Sequence, residues 1–386
     1  MRHGTDRGDD HTRRSAALSL DWPCLVAVAV PALVYIGVIV AHYDGRPYLR
    51  GDCHYYFYSA VSLIEDHDVD LMNNLPAPLS RHSDDVSLDR KGRLVPKHPI
   101  WMAVFALPFV VAFGPPGALI FNLLQLVLLL FLAFRFTRRF SSPWASALAI
   151  AATGSLSILP HYVWNFSPDV FSCLLLVAGL TALPADRSPG RLRHCLAGIL
   201  FGLAAVSKFS LFLALPGLPL LCGRPLRKSI PALAFGIAVP MVFWCALNFH
   251  LFGSPLTTSY DRMARIEGDV VWVHSQRSDF GLPLLVGARA QIMDRTHGLL
   301  FTSPVTLLSI AGLFTLARKD RGAALYLLVT FLLVFLFFST YEQWVASHHG
   351  NRFLIPIMVL ASVPLACLID WIIDGPVRFP SLGHHG

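Results

Sequence analysis

Charge is scarce in this sequence of 386 residues: Asp, Glu, Lys and Arg together make up 14%, against 54% hydrophobic residues. Soluble domains carry about 25% charged residues, so the deficit excludes a string of soluble domains and indicates an integral membrane protein. Paired cysteine motifs are missing as well. The seven cysteines, at 24, 53, 173, 195, 222, 245 and 367, contain no CxxC, and six lie in or beside apolar stretches, which leaves neither a disulfide framework nor a zinc site. No basic stretch exceeds three or four residues or interleaves with aromatics, so the formal charge of +7 is a topology signal and nucleic acid is not an expected partner. Apolar and polar residues do not alternate with period two, which excludes a transmembrane barrel.

What is present is a series of uncharged apolar blocks of about 15 to 23 residues, the length that helices need in a bilayer. The polar head carries Arg2, Arg7, Arg13 and Arg14 and precedes the run Trp22 to Ala41, which lacks the small-residue cleavage site of a signal peptide. A retained first helix with a cytoplasmic N-terminus is expected. Further runs centre on 116–134, 143–160, 169–185, 194–207, 209–223, 229–251, 299–317, 322–341 and 353–369. The block at 99–113 contains Pro108 and ends at Gly114-Pro115-Pro116-Gly117, so it is expected to lie back on the outer face. Arg135, Arg138 and Arg139, then Arg187, Arg191 and Arg193, then Arg224, Arg227 and Lys228, and finally Arg318, Lys319 and Arg321 all become cytoplasmic. The stretch 194–223, interrupted by Lys208, becomes a hairpin of two short helices with the lysine at a wet apex.

The expected fold is thus all-α: a polytopic transmembrane helix bundle of about ten spans over 22–369, between cytoplasmic tails 1–21 and 370–386. Two large outer loops, about 43–115 and 252–298, should carry interfacial helices. One is Asp52 to Asp66, with Phe57, Ala60, Val61 and Ile64 on its apolar face and Tyr55, Ser59, Ser62 and Asp66 on its polar one. The other is Leu284 to Arg295, where Leu284, Leu285, Ala288 and Ile292 oppose Arg289, Gln291 and Arg295.

Chemistry-bearing residues gather on the outer side. GDCHYYFYSAVSLIEDHDVDL, residues 51–71, places Asp52 some ten residues beyond the first helix, and GRLVPKHPIW, 92–101, sets Lys97 between two prolines. Ser167-Pro168-Asp169 opens the fourth span, Ser207-Lys208 interrupts an apolar stretch, and Gly350-Asn351-Arg352-Phe353-Leu354-Ile355-Pro356 enters a late span. In this order the elements resemble those of the GT-C superfamily of membrane glycosyltransferases, especially the branch of lipid A aminoarabinose transferases and protein O-mannosyltransferases. The usual G-D-E-x-x-Y is here Gly51-Asp52-Cys53-His54-Tyr55, without the acidic neighbour.

The resemblance implies a polyprenyl-phosphate sugar donor, a glycan, lipid or protein acceptor, an inverting transfer and an outward-facing site in a bacterial inner membrane. Asp52 and Asp169 take the catalytic positions, and Lys97, Lys208, His348, His349 and Arg352 those around the donor phosphate. The chemistry fits, since transfer needs a carboxylate to orient or deprotonate a hydroxyl and cations for the departing phosphate. Blander roles compete. Asp52 also suits a helix N-cap, Asp169 a cap after Pro168, Lys97 a snorkelling position, Lys208 a satisfied loop apex, and His348, His349 and Arg352 an ordinary polar loop. Asp68-Val69-Asp70 has the D-x-D form that holds a divalent cation in some glycosyltransferases; no other cofactor is expected. Tyr55 to Tyr58 suit headgroup anchors, and Glu65, Asp66, Asp84 and Asp85 a solvated face. A flippase for a lipid-linked intermediate or a non-catalytic subunit of a glycan pathway are the competing classes. The former would show two pseudo-symmetric halves, and the sequence shows no internal repeat.

Overall fold

The computed structural model describes residues 21–42, 51–162, 166–184, 190–222, 226–268, 270–343 and 350–375. His348 and His349 lie outside them. The described chain is mostly helical: α1 (Trp22–His42), α2 (Cys53–Glu65), α3 (Trp101–Phe113), α4 (Pro115–Thr137), α5 (Pro143–Ser155), α6 (Pro168–Ala182), α7 (Arg191–Ser207), α8 (Leu226–Phe252), α9 (Leu284–Met293), α10 (Leu299–Thr302), α11 (Pro304–Lys319), α12 (Arg321–Ser339), α13 (Ile355–Leu360) and α14 (Ser362–Asp374). Four of these carry stretches long and apolar enough to cross a membrane: Trp22–Ala41, Pro115–Thr137, Ser229–Phe252 and Arg321–Ser339. The bent pair Arg352–Leu360 and Ser362–Asp374 makes a fifth if taken as one broken span.

Those four or five spans are fewer than the ten apolar runs suggest, and the reason is local. Helix α5 has 13 residues, α6 has 15 and α11 has 16, each begun by a proline at its first turn. The run 209–223 is not a helix of a hairpin. It folds as two 3-10 turns, Phe209–Ala214 and Leu218–Leu220, divided by Pro216 and Gly217.

Two strings of packed helices make the bundle: α4, α6, α7 and α8 in one, and α1, α5, α14 and α11 in the other, with α13 lying against α6. Glycines set the closest approach. A Cβ on Gly198 would stand 2.2 Å from the Leu233 carbonyl oxygen, and one on Gly236 2.1 Å from that of Cys195. Gly198 and Gly202 form a G-x-x-x-G face on α7 that lets the α8 backbone settle against it. Away from these seams α1 and α8 expose Leu33, Val40, Phe235, Val242 and Phe243, side chains suited to hydrocarbon.

A feature absent from the all-α expectation is an antiparallel sheet of order β2-β1-β3-β4, built from β1 (Val86–Leu88), β2 (Leu94–Pro96), β3 (Met263–Glu267) and β4 (Val270–His274). β1 and β2 come from the first large loop, β3 and β4 from the second, and the pair Ser87↔Met263 joins them. Beneath the sheet Tyr55, Leu71, Leu75, Val86, Leu94, Ala264 and Ile266 form a small core of their own. That core gives α2 a second covered face: Ala60, Phe57 and Ile64 pack on the main core as expected, and Tyr55, Ser59 and Ser62 are buried as well. The hydroxyls are accommodated by local bonds: Ser59 Oγ donates to the Tyr55 carbonyl at 2.6 Å, and Ser62 Oγ to Asp68 Oδ1 at 3.0 Å. Gln291 of α9 is likewise buried, its amide donating to Ser339 Oγ at 2.6 Å and to the Phe335 carbonyl at 3.1 Å.

Candidate active site

The chain turns into α2 through Gly51, whose φ of 54° lies in the left-handed region. Asp52 occupies the N-cap position yet makes no side-chain capping bond. Its carboxylate turns the other way. Arg352 Nη2 donates to Asp52 Oδ2 at 2.5 Å, and His98 Nε2 stands 3.4 Å from Asp52 Oδ1. The Arg352 and Asp52 side chains are 23% and 20% exposed, so the pair is largely buried but still reachable.

Arg352 is aimed by its neighbours. Gly350 has φ +60° and presses so close to Ile158 that a Cβ would meet its Cγ2 at 2.2 Å. Asn351 is fully buried; its amide donates to Gln291 Oε1 at 3.0 Å, and its Oδ1 accepts from the Phe353 N–H at 3.1 Å, capping the 3-10 turn Arg352–Leu354. The GNRF tetrapeptide therefore fixes the guanidinium through α9 and α12.

A second pair lies beside the first. Asp169, in the first turn of α6, is buried and accepts from Ser167 Oγ at 2.8 Å and from Lys208 Nζ. The N-terminus of α6 favours that negative charge. Lys208 holds the break between α7 and the 3-10 turn Phe209–Ala214 with extended dihedrals, φ −148° and ψ 104°. Phe353 connects the two pairs, with Arg352 Cζ 5.3 Å and Lys208 Nζ 5.4 Å from its ring centroid. Phe338 stacks on the same ring at 4.7 Å.

Asp52, Arg352, Asp169 and Lys208, dispersed in sequence, thus meet at one end of the bundle. Lys97 does not join their direct contacts. Its ammonium donates to the Asp84 carbonyl at 2.7 Å and to Asp85 Oδ1 at 3.4 Å, while its own carbonyl accepts from Ser259 Oγ. Lys97 thereby ties the first loop together, and Asp85 is not a freely solvated acid, since it also accepts from Tyr55 Oη at 3.1 Å. Asp84 takes His274 and Arg265 as partners.

Sequence reasoning passed over His98, one residue further on. Tyr56 stacks on its imidazole with centroids 5.1 Å apart and planes 22° from parallel, and its Nδ1 is hydrogen-bonded to Tyr260 Oη at 2.9 Å. Tyr55 and Tyr56 are therefore buried structural and site residues rather than headgroup anchors. The signal that could have found His98 was its place between Lys97 and Pro99, where a proline on either side of the Lys-His pair fixes the direction of the strand exit.

Burial alone would raise the Asp52 carboxyl, but His98 and Arg352, with Lys97 further off, outweigh it and hold the group well below the usual carboxylate range. Burial and the Asp52 charge push the Tyr260 phenol upward. Asp68 and Asp70 serve the loop after α2: Asp68 Oδ1 accepts from the Asp70 N–H at 2.9 Å, and Asp70 Oδ1 from the Met72 N–H at 3.0 Å. Among the described residues no group of three or more His, Cys, Asp or Glu stands together as a metal site.

Solved structures share this fold. ArnT from Cupriavidus metallidurans, solved bound to undecaprenyl phosphate, superposes with a TM-score of 0.56 at 16% identity, covering 90% of this chain and 60% of its own. The Archaeoglobus fulgidus oligosaccharyltransferase, in a complex with zinc and sulfate, gives 0.55 at 14% identity, over 90% and 49%. AglB of the same organism, with an inhibitory peptide and a dolichol-phosphate, gives 0.53 at 12%, over 92% and 50%. The chain spans about half to three-fifths of the length of these proteins, which are GT-C membrane glycosyltransferases. No curated protein matches the sequence. The family model for glycosyltransferase family 87 matches residues 98–347, well over half of the chain, from His98 at the strand exit to a few residues before Arg352. On that match the protein belongs to glycosyltransferase family 87.

Proposed function

We propose that the protein transfers a sugar from a polyprenyl-phosphate donor to an acceptor hydroxyl, with inversion, at the outward end of the bundle. The observation that carries the reading is the Asp52–Arg352 pair at the mouth of the helical bundle, a carboxylate and a fork of donors that together supply both ends of a glycosyl transfer. The donor's lipid tail lies among the apolar helices and its phosphate enters between the two pairs. Arg352 then exchanges the carboxylate for phosphate oxygens, which it grips bidentately. Lys208, on the same Phe353 ring, adds a second cation where charge develops as the phosphate leaves.

Asp52, released from Arg352, accepts the hydrogen bond of the incoming hydroxyl and aligns its oxygen behind the anomeric carbon, opposite the phosphate. Positioning of this kind is worth roughly 10²- to 10⁴-fold in rate when it includes proton transfer. The basic clusters Arg135-Arg138-Arg139 and Arg318-Lys319-Arg321 lie at helix ends that the positive-inside rule assigns to the cytoplasm, which supports a site facing outward; the bacterial inner membrane is the location that suits a polyprenyl-phosphate donor, and the shorter apolar helices are read as completing up to ten crossings. Sugar, acceptor and any divalent cation follow from assay. The test is purified protein in proteoliposomes with a panel of polyprenyl-phosphate sugars: one member releases polyprenyl phosphate, and Asp52→Asn abolishes the release. Movement of labelled lipid across the bilayer without cleavage would assign the flippase class instead.

A further inference from the structure

The corner where α11 hands over to α12 carries charge that the site around Asp52 does not use. A single residue, Asp320, links Lys319 to Arg321 in extended conformation, φ −148° and ψ 102°. Phe314, Ala317, Arg318, Lys319 and Arg321 line an open cleft of about 490 Å³ there. It lies far from the candidate active site. Phe338, which stacks on Phe353, stands near the opposite end of the 19-residue α12, roughly 25 Å away at the rise of an α-helix.

The acids of this corner are already engaged. Asp320 Oδ1 accepts from the Ala323 N–H at 3.0 Å and caps α12. Asp370 of α14 accepts from Ser142 Oγ at 2.6 Å, from the Ser142 N–H at 3.0 Å and from Lys319 Nζ at 3.1 Å. Arg318 and Arg321 are exposed, and neither makes a side-chain hydrogen bond or an ion pair among the described residues. The helix ends that hold them are fixed by other contacts. A Cβ on Gly322 would stand 2.4 Å from the Leu220 carbonyl oxygen, so the first turn of α12 is pressed against the 3-10 turn Leu218–Leu220, while Asp370 ties Lys319 to α14.

Next to the arginines the surface turns apolar. Ile310, Phe314 and Arg318 lie four residues apart and share one face of α11. Phe314 is 73% exposed and Ile310 47%. A ligand that satisfies the whole surface needs a phosphate for the guanidinium forks and hydrocarbon for the track beside them. Free phosphate would leave the track bare, and a zwitterionic head would bring its own cation up to the arginines. We propose that the cleft binds the headgroup of an anionic phospholipid, whose acyl chain lies along Phe314 and Ile310. The site stands on other residues than the glycosyl transfer proposed above and does not depend on it.

The experiment offers the full chain in mild detergent equal amounts of phosphatidylglycerol and phosphatidylcholine with the same acyl chains, and native mass spectrometry counts the lipid retained. Wild type should keep phosphatidylglycerol about tenfold or more over phosphatidylcholine. Arg318→Gln with Arg321→Gln should bring that ratio within threefold of unity. Arg191→Gln with Arg193→Gln, an exposed basic pair at the start of α7 and outside the cleft, should leave it unchanged. Excess inorganic phosphate should not displace the lipid. A wild type without preference overturns the inference whatever the variants do. So does a preference that survives the loss of Arg318 and Arg321, or one that falls equally with Arg191 and Arg193, since the charge would then act from the surface at large. Displacement by inorganic phosphate would make the ligand a free anion and overturn the lipid assignment.

Discussion

Arg352 and Asp52, 300 residues apart in the chain, share a hydrogen-bonded ion pair at the mouth of the helical bundle. Neither is placed there by its own helix alone. Asp52 has given up the capping bond its position offers, and Arg352 is held by a buried asparagine that answers to a different helix. The pair is thus held by tertiary contacts and not by the local preference of either segment.

Arg352→Lys tests the fork. A lysine keeps the charge and loses the bidentate grip, so donor turnover should fall about 10- to 100-fold, the cost of one charge-assisted bond at ~1.5–3 kcal/mol. The loss should appear in the apparent affinity for polyprenyl phosphate measured by competition.

Acid should not loosen this pair in the working range. The folded Asp52 carboxyl lies below its unfolded value of about 3.9, so its contribution to stability is fully present above that value. It is lost only as pH falls through the depressed folded value. The melting-temperature difference between wild type and Asp52→Asn should therefore stay constant from pH 5 to 8, and a difference that shrinks steadily toward pH 5 would contradict the assignment.

Lys208 and Asp169 are a buried pair whose separate loss leaves a stranded charge. Lys208→Met should destabilise the protein by about 3–5 kcal/mol, and Lys208→Met with Asp169→Asn should recover most of that. Thermal unfolding in detergent reads both. Equal destabilisation of the single and double variants would mean that the lysine acts through packing on Phe353 and not through the carboxylate.

The α7–α8 seam supports the wall from which Lys208 projects. Gly198→Ala puts a methyl 2.2 Å from the Leu233 carbonyl and should cost about 1–3 kcal/mol by overpacking. Gly37→Ala in α1, where nothing lies within 4 Å of the new methyl, should be neutral or slightly stabilising. The melting temperatures of the two variants separate a helix seam from an open face.

Much of this was legible in the sequence because membranes make charge expensive. Asp169 and Lys208 stand out against apolar surroundings, Asp52 follows a span at a fixed distance, and the GNRF entry into the last helices announces Arg352. The sheet was not legible. Its strands run three to five residues and pair across the chain, as in Ser87↔Met263, so no local periodicity betrays them. Lys97 and His98 show the same limit on a finer scale. The two sit on one dipeptide, and only the strand exit decides that the lysine turns to Asp84 and Asp85 while the histidine turns to Asp52.

The seam between β1 and β3 joins two stretches that begin as separate loops into one canopy. Ser87 pairs with Met263, its hydroxyl donates to the Ser259 carbonyl at 2.7 Å, and Ser259 in turn donates to the Lys97 carbonyl next to His98. A substrate cannot lift one loop and leave the other in place. The same connection hands the position of His98, just past the end of β2, to both loops at once, while Arg352 and Lys208 are set by the helices.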